Sequence, residues 1–295
     1  MTTSLQHILF GVALREVIGS TNQEIVDLQI DSRLVQPGTA FVAIKGVQVD
    51  GHQFIETAIE KGAKVIVCET LPAVTKEGIT YIVLANTQEA VALIAHQYYG
   101  QPSTKIKLVG VTGTNGKTTV ATLLYKLFSE LGYTCGLIST VQNHIGTEVI
   151  TATHTTPDSL TINKYLDEMV EIGCEFCFME VSSHGIHQKR TESLHFEGGV
   201  FTNLSHDHLD YHETFAEYRD VKKSFFDHLP KTAFALTNVD DKNGSVMLQN
   251  TNAKKLTYAL KSYADYKAQI LENQLSGLLL KINENEVWVR LIGTF

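Results

Sequence analysis

The feature that most constrains the fold is a glycine-rich loop between an apolar and an amphipathic segment, IKLVGVTGTNGKTTVATLLYKLFSELG at residues 106–132. The apolar segment predicts the end of a buried strand at 109–112, and residues 120–131 predict a helix. Glycines let backbone N–H groups converge on phosphate oxygens, and the amino terminus of a helix adds its dipole. The order strand, loop, helix therefore predicts a phosphate-binding loop in an α/β domain.

Within this loop we expect Lys117 to reach the β- and γ-phosphates and the Thr118 hydroxyl to coordinate Mg²⁺. The general pattern GxxxxGK[ST] has glycine where this chain has Val111, so the loop is not a plain Walker A motif. The alternative is a glycine-rich turn that merely opens a helix. The residues predicted to bind nucleotide phosphates are Gly113, Thr114, Asn115, Gly116, Lys117, Thr118 and Thr119.

Strand-like and helix-like segments alternate along most of the chain, which predicts the α/β class. The polar segment QPSTK at 101–105 is the candidate boundary between a small α/β domain, residues 1–100, and a larger one, residues 101–295. The larger domain is expected to be a doubly wound, mostly parallel sheet, followed by a hairpin or small antiparallel sheet near the end. The sequence stops at Phe295 inside a strand-like run, so we expect a truncated chain.

Composition narrows the class of function. The formal net charge is −8 with no run of Lys or Arg, which argues against a broad nucleic-acid-binding surface. A mean hydropathy of −0.02 and the absence of a long apolar stretch predict a soluble protein with no membrane span. The four cysteines are expected to be reduced thiols of a cytoplasmic protein, and the CxxC of Cys174 and Cys177 to be core residues.

Two further segments place polar residues directly after apolar runs. Glu180 ends CFME and is expected at the edge of the sheet beside Thr118, where it would complete a magnesium site, although a solvent-facing glutamate is the alternative. The segment SHDHLDYH, Ser205–His212, contains three histidines and suggests zinc at first sight. A zinc-hydrolase HxHxDH motif would require its last histidine at position 211, which is tyrosine, so the match fails.

The helix predicted after this segment carries a lysine in an unusual place. At about 100° per residue, Lys222 falls inside the apolar arc, whereas Lys223 points well away from it. A lysine amine among aromatic rings is costly unless it is paired or modified. It could extend to the edge of the core, or it could react with CO₂ to give a carbamate that binds metal. The arc consists of Phe215, Tyr218, Val221, Phe225, Phe226 and Leu229.

Taken in order, the motifs GVTGTNGKTT, MEVSSHG, TNLSHDHLDYH with its following lysine, TNVDD and the N-terminal DSRLVQPGTAFVAIKG…DGHQFI resemble the Mur ligases. The likeness covers nearly the whole chain. It implies a UDP-binding domain followed by an ATP-binding domain, and a ligase that adds the third amino acid to UDP-MurNAc-L-Ala-D-Glu in peptidoglycan synthesis. That amino acid would be meso-diaminopimelate or, alternatively, lysine. The resemblance further implies a cytoplasmic monomer without nucleic-acid or membrane partners.

The resemblance also implies roles for individual residues. Thr118 and Glu180 would hold one Mg²⁺, and His208 with carbamylated Lys222 would hold a second; these residues and Lys117 form the catalytic group. Asn238 and Asp241 lie in the segment expected to face the adenosine of ATP. The positions that match contacts to UDP-MurNAc-dipeptide are Ser32, Thr155, Thr156, Ser182, Gln188 and Arg190.

Three alternatives stay open at this point. The family's third, C-terminal domain is missing from the sequence, so the chain could be a non-catalytic module that binds nucleotides. A zinc hydrolase built on SHDHLDYH is disfavoured by the displaced His212. Folylpolyglutamate synthetase is close in chemistry, but the N-terminal DSR…PG…DGH segment argues against it.

Overall fold

The computed structural model describes residues 2–46, 49–206 and 211–291. The backbone forms a five-stranded sheet between residues 14 and 84 and an eleven-stranded sheet between residues 107 and 289. Parallel strands dominate both sheets, and helices separate most of them along the chain. The predicted α/β class is therefore confirmed.

The smaller unit has the sheet order β2-β7-β6-β5-β4, in which β4 to β7 are parallel and β2 is antiparallel. Its inner strands are buried throughout, as expected when both faces of a parallel sheet are covered. In chain order its elements are β1 (Thr3–Ser4), α1 (Leu5–Ile8), β2 (Leu14–Ile18), β3 (Glu24–Ile25), β4 (Asp27–Gln29), β5 (Thr39–Val42), α2 (Ile55–Glu60), β6 (Val65–Cys68), β7 (Thr80–Leu84) and α3 (Thr87–Tyr98).

The larger unit has the sheet order β11-β10-β9-β12-β8-β13-β14-β15-β16-β17-β18. Its elements are β8 (Lys107–Thr112), α4 (Lys117–Glu130), β9 (Cys135–Ile138), β10 (Gln142–Ile145), β11 (Glu148–Thr151), α5 (Ser159–Glu171), β12 (Phe176–Glu180), α6 (Ser183–His187), β13 (Gly198–Phe201), α7 (Phe215–Asp227), β14 (Phe234–Asn238), α8 (Gly244–Met247), β15 (Lys254–Ala259), β16 (Tyr266–Gln274), β17 (Gly277–Ile282) and β18 (Asn285–Val289).

Alternate residues of the central strands enter two different cores. On β8, Leu108 packs in the core that contains residues of α5 and α7, whereas Val109 packs in the core that contains Ala121 of α4. On β12, Met179 and Phe178 divide in the same way. Helices therefore cover both faces of the sheet, which confirms the doubly wound arrangement.

Strand β8 lies where the order of strands reverses. The chain passes from β8 to β9 and returns to β12 on one side, and β13 then pairs with β8 on the other side. In open α/β sheets, ligands bind at the carboxyl ends of the strands at such a switch point. The glycine-rich loop that follows β8 occupies this position.

The small antiparallel element predicted near the C-terminus is confirmed as strands β16–β18, which also extend the large sheet because β16 pairs with β15. The β10–β11 hairpin was not predicted, because its strands are only four residues long each.

All four cysteines are buried and free, and burial raises the pKa of Cys174 and Cys177. The prediction that they are core residues is confirmed. Across the described ranges, the structure contains no helix that is both long and apolar enough to cross a bilayer.

Candidate active site

The predicted phosphate loop connects β8 directly to α4. Gly116 occupies the position before the helix with φ +84°, and Gly113 has φ +151°. Both values favour glycine, and a Cβ on Gly113 would overlap the Thr202 hydroxyl oxygen. An incidental glycine-rich turn would not explain this overlap, because glycine at position 113 is needed for the loop to lie against a neighbouring segment.

That neighbouring segment, Thr202–Leu204 after β13, braces the phosphate loop. The Thr202 hydroxyl donates to the Asn115 carbonyl at 2.7 Å. The Asn203 side chain accepts from the Asn115 N–H at 3.0 Å and donates to its carbonyl at 3.0 Å, and the Thr114 N–H donates to the Asn203 carbonyl at 2.8 Å. The sequence prediction missed this brace. The only signal for it was the position of TNL after a buried strand.

Two lysines donate to the same carbonyl of the loop. Lys117 Nζ lies 3.0 Å from the Gly113 oxygen and 2.7 Å from the Thr114 oxygen. Lys222 Nζ lies 2.9 Å from the Gly113 oxygen, and the residue is 1% exposed. The ammonium also lies 4.8 Å from the centroid of the Tyr218 ring, a favourable contact for a cation. The prediction that Lys222 lies in the core is confirmed.

Lys223, predicted to point well away from the apolar arc, is nevertheless also buried, with 8% exposure. Its ammonium pairs with Asp227, one helical turn later, at 2.6 Å. Helix geometry placed Lys223 outside the apolar arc, but other parts of the chain cover that side of α7. A charge outside an apolar arc can thus be buried when a partner lies at i+4.

Glu180 ends β12 and is fully buried beside the phosphate loop. One carboxylate oxygen accepts from the Thr118 hydroxyl at 3.0 Å, and the other accepts from the Thr140 N–H at 2.8 Å. The Thr140 hydroxyl lies 3.1 Å from both oxygens. The structure thus brings the predicted pair Thr118 and Glu180 together and adds Thr140, which the sequence did not single out.

These oxygen ligands fit a hard cation such as Mg²⁺. The predicted ligand His208 lies outside the described residues. In the part of the chain that the structure describes, no three His, Cys, Asp or Glu side chains converge as a metal cluster. The Thr118 hydroxyl and the Glu180 carboxylate are oxygen ligands that the described residues offer to an ion at this position.

Most of the predicted substrate-binding residues form one connected group. The Thr156 hydroxyl donates to the Glu180 carbonyl at 2.9 Å and accepts from the Ser182 N–H at 3.0 Å. Arg190 donates to the Thr156 carbonyl and, through Nε and Nη2, to the Gln188 side-chain oxygen at 3.1 and 2.6 Å. Burial lowers the pKa of Arg190, but a guanidinium stays charged at neutral pH.

A cavity of about 220 Å³ joins this group to the phosphate loop. Its wall contains Lys117 and Lys222 together with Thr155 and Arg190. Thr155 also accepts from the Thr140 hydroxyl at 3.1 Å. The remaining lining residues are His154, Thr156, Ser182, Ser183 and His184.

A second cavity, about 170 Å³, lies between the two units. Ile30 and Gln88 line it from the smaller unit, and Gln188 and Arg190 from the larger one. Ser32, the predicted contact in the smaller unit, is two residues beyond Ile30 and is 8% exposed. It is not among the residues that line either cavity, so its predicted contact with substrate stays a prediction.

Asn238 and Asp241 lie behind the brace of the phosphate loop. Asn238 Nδ2 donates to the Thr202 carbonyl at 3.0 Å, and an Asp241 carboxylate oxygen accepts from the Leu204 N–H at 2.8 Å. Both residues therefore lie next to the segment that braces the phosphate loop. Their predicted orientation towards adenosine stays a prediction.

The two described histidines of SHDHLDYH lie in different surroundings. His206 packs against Phe215 with ring centroids 4.6 Å apart. His212 is fully buried, its Nδ1 lies 3.7 Å from Glu217, and burial lowers its pKa. A larger cavity than these two, about 400 Å³, lies elsewhere, between α3, α7 and residues 189–196, and no predicted site residue lines it.

Comparison with known proteins agrees with this geometry. Residues 111–295 match the Mur ligase middle domain, and residues 24–99 match the Mur ligase family catalytic domain. The UDP-N-acetylmuramoyl-L-alanyl-D-glutamate–2,6-diaminopimelate ligases of Phocaeicola vulgatus and Bacteroides fragilis are 55% and 52% identical over 291 residues. Each alignment covers 99% of this chain and 60% of the relative, so the chain spans about 60% of the length of these curated relatives.

A solved structure of a UDP-N-acetylmuramoyl-L-alanyl-D-glutamate–2,6-diaminopimelate ligase superposes with a TM-score of 0.82 at 27% identity. It covers 98% of this chain and 59% of that one. MurF from Acinetobacter baumannii, at 18% identity and a TM-score of 0.72 over 99% of this chain and 61% of that one, shares the fold. The chain belongs to the Mur ligase family.

Proposed function

We propose that this chain forms the UDP-substrate- and ATP-binding part of a ligase that joins 2,6-diaminopimelate to UDP-MurNAc-L-Ala-D-Glu. The observation that carries the proposal is the cavity in which Lys117 of the phosphate loop, buried Lys222 and Arg190 meet. Residues 1–100 would hold the UDP end of the substrate and residues 101–295 would hold ATP. The names of relatives 38–55% identical to this chain support diaminopimelate over lysine.

The reaction would proceed in two steps. An oxygen of the D-glutamyl side-chain carboxylate attacks the γ-phosphorus of ATP, which gives an acyl phosphate and releases ADP. The amine of the incoming amino acid then attacks the acyl carbon, the amide bond forms, and phosphate leaves. Because the carboxylate, the phosphates and the acyl phosphate are all anionic, cationic side chains are needed on the cavity wall.

The residues would share this work in three ways. The backbone N–H groups of Gly113–Thr119 and the Lys117 ammonium would bind and orient the phosphates of ATP. Thr118 and Glu180 would hold one Mg²⁺, and His208 with a carbamate on Lys222 would hold a second. Bound Mg²⁺ would neutralise charge on the transferred phosphoryl group. Thr155, Thr156, Ser182, Gln188 and Arg190 would position the carboxylate, and Ser32 would contact the uridine end.

The position of Lys222 supports the carbamate. Its side chain lines the cavity with Lys117, and Nζ lies 2.9 Å from the Gly113 carbonyl of the phosphate loop, so a carboxylate formed there would lie beside the phosphates. The carbamate would act as a metal ligand and not as a base. Because ATP and UDP-linked precursors are cytoplasmic, we place the reaction in the cytoplasm.

A coupled assay of ADP release with UDP-MurNAc-L-Ala-D-Glu and a panel of third amino acids tests the proposal. It should be run on this chain and on a version continued through the C-terminal residues that the longer relatives carry. We expect turnover that requires both the UDP-substrate and diaminopimelate in the longer version. Turnover in neither version would favour the second candidate, a module that binds nucleotides without catalysing ligation.

Lys222→Ala is the sharpest variant for the mechanism. We expect activity of the longer version to fall by more than about 100-fold, because a charge-stabilising group is lost. Acetate or bicarbonate should restore part of the activity by supplying a carboxylate in the vacated space. Lys223→Ala is the matched control, since Lys223 is buried one residue away but pairs with Asp227. Full activity in Lys222→Ala would remove the carbamate from the mechanism.

A further inference from the structure

Tyr211 joins the segment that follows β13 to the substrate-binding residues. Its hydroxyl oxygen lies 3.1 Å from Nε2 of Gln188 and 2.9 Å from Nδ1 of His187. Its ring packs on His184, with centroids 3.9 Å apart, and His184 lines the cavity beside the phosphate loop. Tyr211 does not line that cavity itself.

The Gln188 amide lies between Tyr211 and Arg190. Its NH₂ donates to the Tyr211 hydroxyl, and its oxygen accepts two hydrogen bonds from Arg190. The guanidinium, which only donates, sets which end of the amide faces it, because rotating the amide by 180° would bring donors against donors. The Tyr211 hydroxyl holds the other end of the amide and so restrains the group that holds Arg190.

Arg190 continues the same network towards the reacting groups. Its Nη1 donates to the Thr156 carbonyl, and the Thr156 hydroxyl donates to the Glu180 carbonyl at 2.9 Å. Because a guanidinium carries five N–H donors in a rigid plane, an arginine held by three of them can still bind an anion. The affinity of Arg190 for an anionic group then depends on how firmly the guanidinium plane is held.

We propose that Tyr211 is a positioning residue for the UDP-linked substrate, acting through Gln188 to hold the Arg190 guanidinium towards an anionic group of that substrate. The inference rests on the proposed function. The network of Tyr211 touches the substrate-binding residues, whereas the phosphate loop is held by Thr202 and Asn203, at the start of the same connection between β13 and α7. Loss of the hydroxyl should therefore weaken binding of the UDP-substrate and leave nucleotide binding unchanged.

Calorimetric titration of the 295-residue chain with UDP-MurNAc-L-Ala-D-Glu and, separately, with ADP tests this. Tyr211→Phe keeps the ring against His184 and removes only the hydroxyl. We expect the Kd for the UDP-substrate to rise by about five- to ten-fold, the scale of one lost hydrogen bond with its network, and the Kd for ADP to stay the same. Tyr125→Phe is the matched control, since its hydroxyl donates to the Gly146 carbonyl at 2.9 Å, outside the site.

A double-mutant cycle with Gln188→Leu separates positioning from a general structural effect. If Tyr211 acts through Gln188, adding Tyr211→Phe to Gln188→Leu should change the Kd for the UDP-substrate by less than two-fold, well below additivity. Additive losses, equal losses for both ligands, or an unchanged Kd in Tyr211→Phe would each overturn the inference while leaving the proposed function standing. Failure of the unaltered chain to bind the UDP-substrate would overturn both.

Discussion

The two proposed halves of the candidate site, one for the nucleotide and one for the UDP-substrate, are held together in different ways. The proposed nucleotide half, Gly113–Thr119 with Thr202–Leu204, is fixed largely through backbone groups: the Asn115 and Gly113 carbonyls and the Thr114 and Asn115 N–H groups all take part. The substrate half, Thr155, Thr156, Ser182, Gln188 and Arg190, is held mainly by side chains, some from distant parts of the chain. Backbone groups are the same for nearly every residue, so a backbone-built site depends mainly on the conformation of the chain, whereas a side-chain network depends on the identity of each residue.

The substrate half also depends on contact between the two units. Gln88 on α3 donates to the Gln188 carbonyl at 3.1 Å, and His96 on the same helix meets Asn163 on α5 at 3.1 Å. The nucleotide half lies within the larger unit alone. Substitutions should therefore be able to damage one half and spare the other.

The largest effect is expected for Gly113→Ala. A Cβ there would overlap the Thr202 hydroxyl and would impose a side chain on a backbone with φ +151°, so the loop must move. We expect ADP affinity to fall by more than about 100-fold, since a displacement of about 1 Å in a binding loop has effects of that size. Affinity for the UDP-substrate should change little, and titration calorimetry measures both.

Gly132→Ala controls for backbone strain alone. Gly132 has φ +94°, and a Cβ there would have no neighbour within 4 Å. It should cost about 1 kcal/mol in the free energy of unfolding and leave ADP affinity intact. Similar ADP affinity in both variants would show that contact with Thr202 does not shape the loop.

The contrast between the halves explains what the sequence could predict. The phosphate loop, Glu180 at the end of β12 and the burial of Lys222 follow from local patterns: glycine spacing, an apolar run and helical periodicity. The brace by Asn203, the role of Thr140 and the burial of Lys223 depend on which strands and helices become neighbours. The antiparallel strands β16–β18 were recognised as a pattern, but their union with the large sheet is a property of tertiary pairing.

The substrate residues illustrate the remaining gap. Position matching to a family identified Thr155 to Arg190 as a group. The structure brings four of its five members around one cavity, and the fifth, Gln188, lines the second cavity and accepts from Arg190. Neither the match to the family nor helical periodicity indicated a role for Tyr211, because a single tyrosine among histidines forms no recognisable sequence pattern. Its two hydrogen bonds connect residues 23 and 24 positions apart in the chain.

A moderate effect is expected for Asn203→Ala, which removes both side-chain hydrogen bonds to Asn115. Two such bonds contribute about 2 kcal/mol at most, so ADP affinity should fall by about ten-fold. The Kd for the UDP-substrate should stay the same. Asn252→Ala, at an exposed position, is the control. Equal losses for both ligands would mean that the two halves are not held independently.

The smallest effect concerns the contact between the units and depends on pH. Burial lowers the pKa of His96 below its ordinary value of 6.5, so between these two values the unfolded chain binds more protons than the folded one. The free energy of unfolding should therefore fall as the pH drops through 6.5, and the full stability is present only above that pH. His212, whose pKa burial also lowers, contributes in the same direction.

Replacing His96 with glutamine removes one of these groups and keeps a polar side chain near Asn163. Urea unfolding between about pH 7.5 and about pH 5.5 should show a shallower decline for His96→Gln, by at most about 1 kcal/mol over this range, since one pKa unit corresponds to about 1.4 kcal/mol. If the free energy of unfolding falls with pH equally in His96→Gln and in the unaltered protein, His96 is excluded as a source of acid sensitivity. A shallower decline in the free energy of unfolding would show that His96 on α3 contributes to the acid sensitivity of the fold. The same helix carries Gln88, which donates to the Gln188 carbonyl of the proposed substrate half.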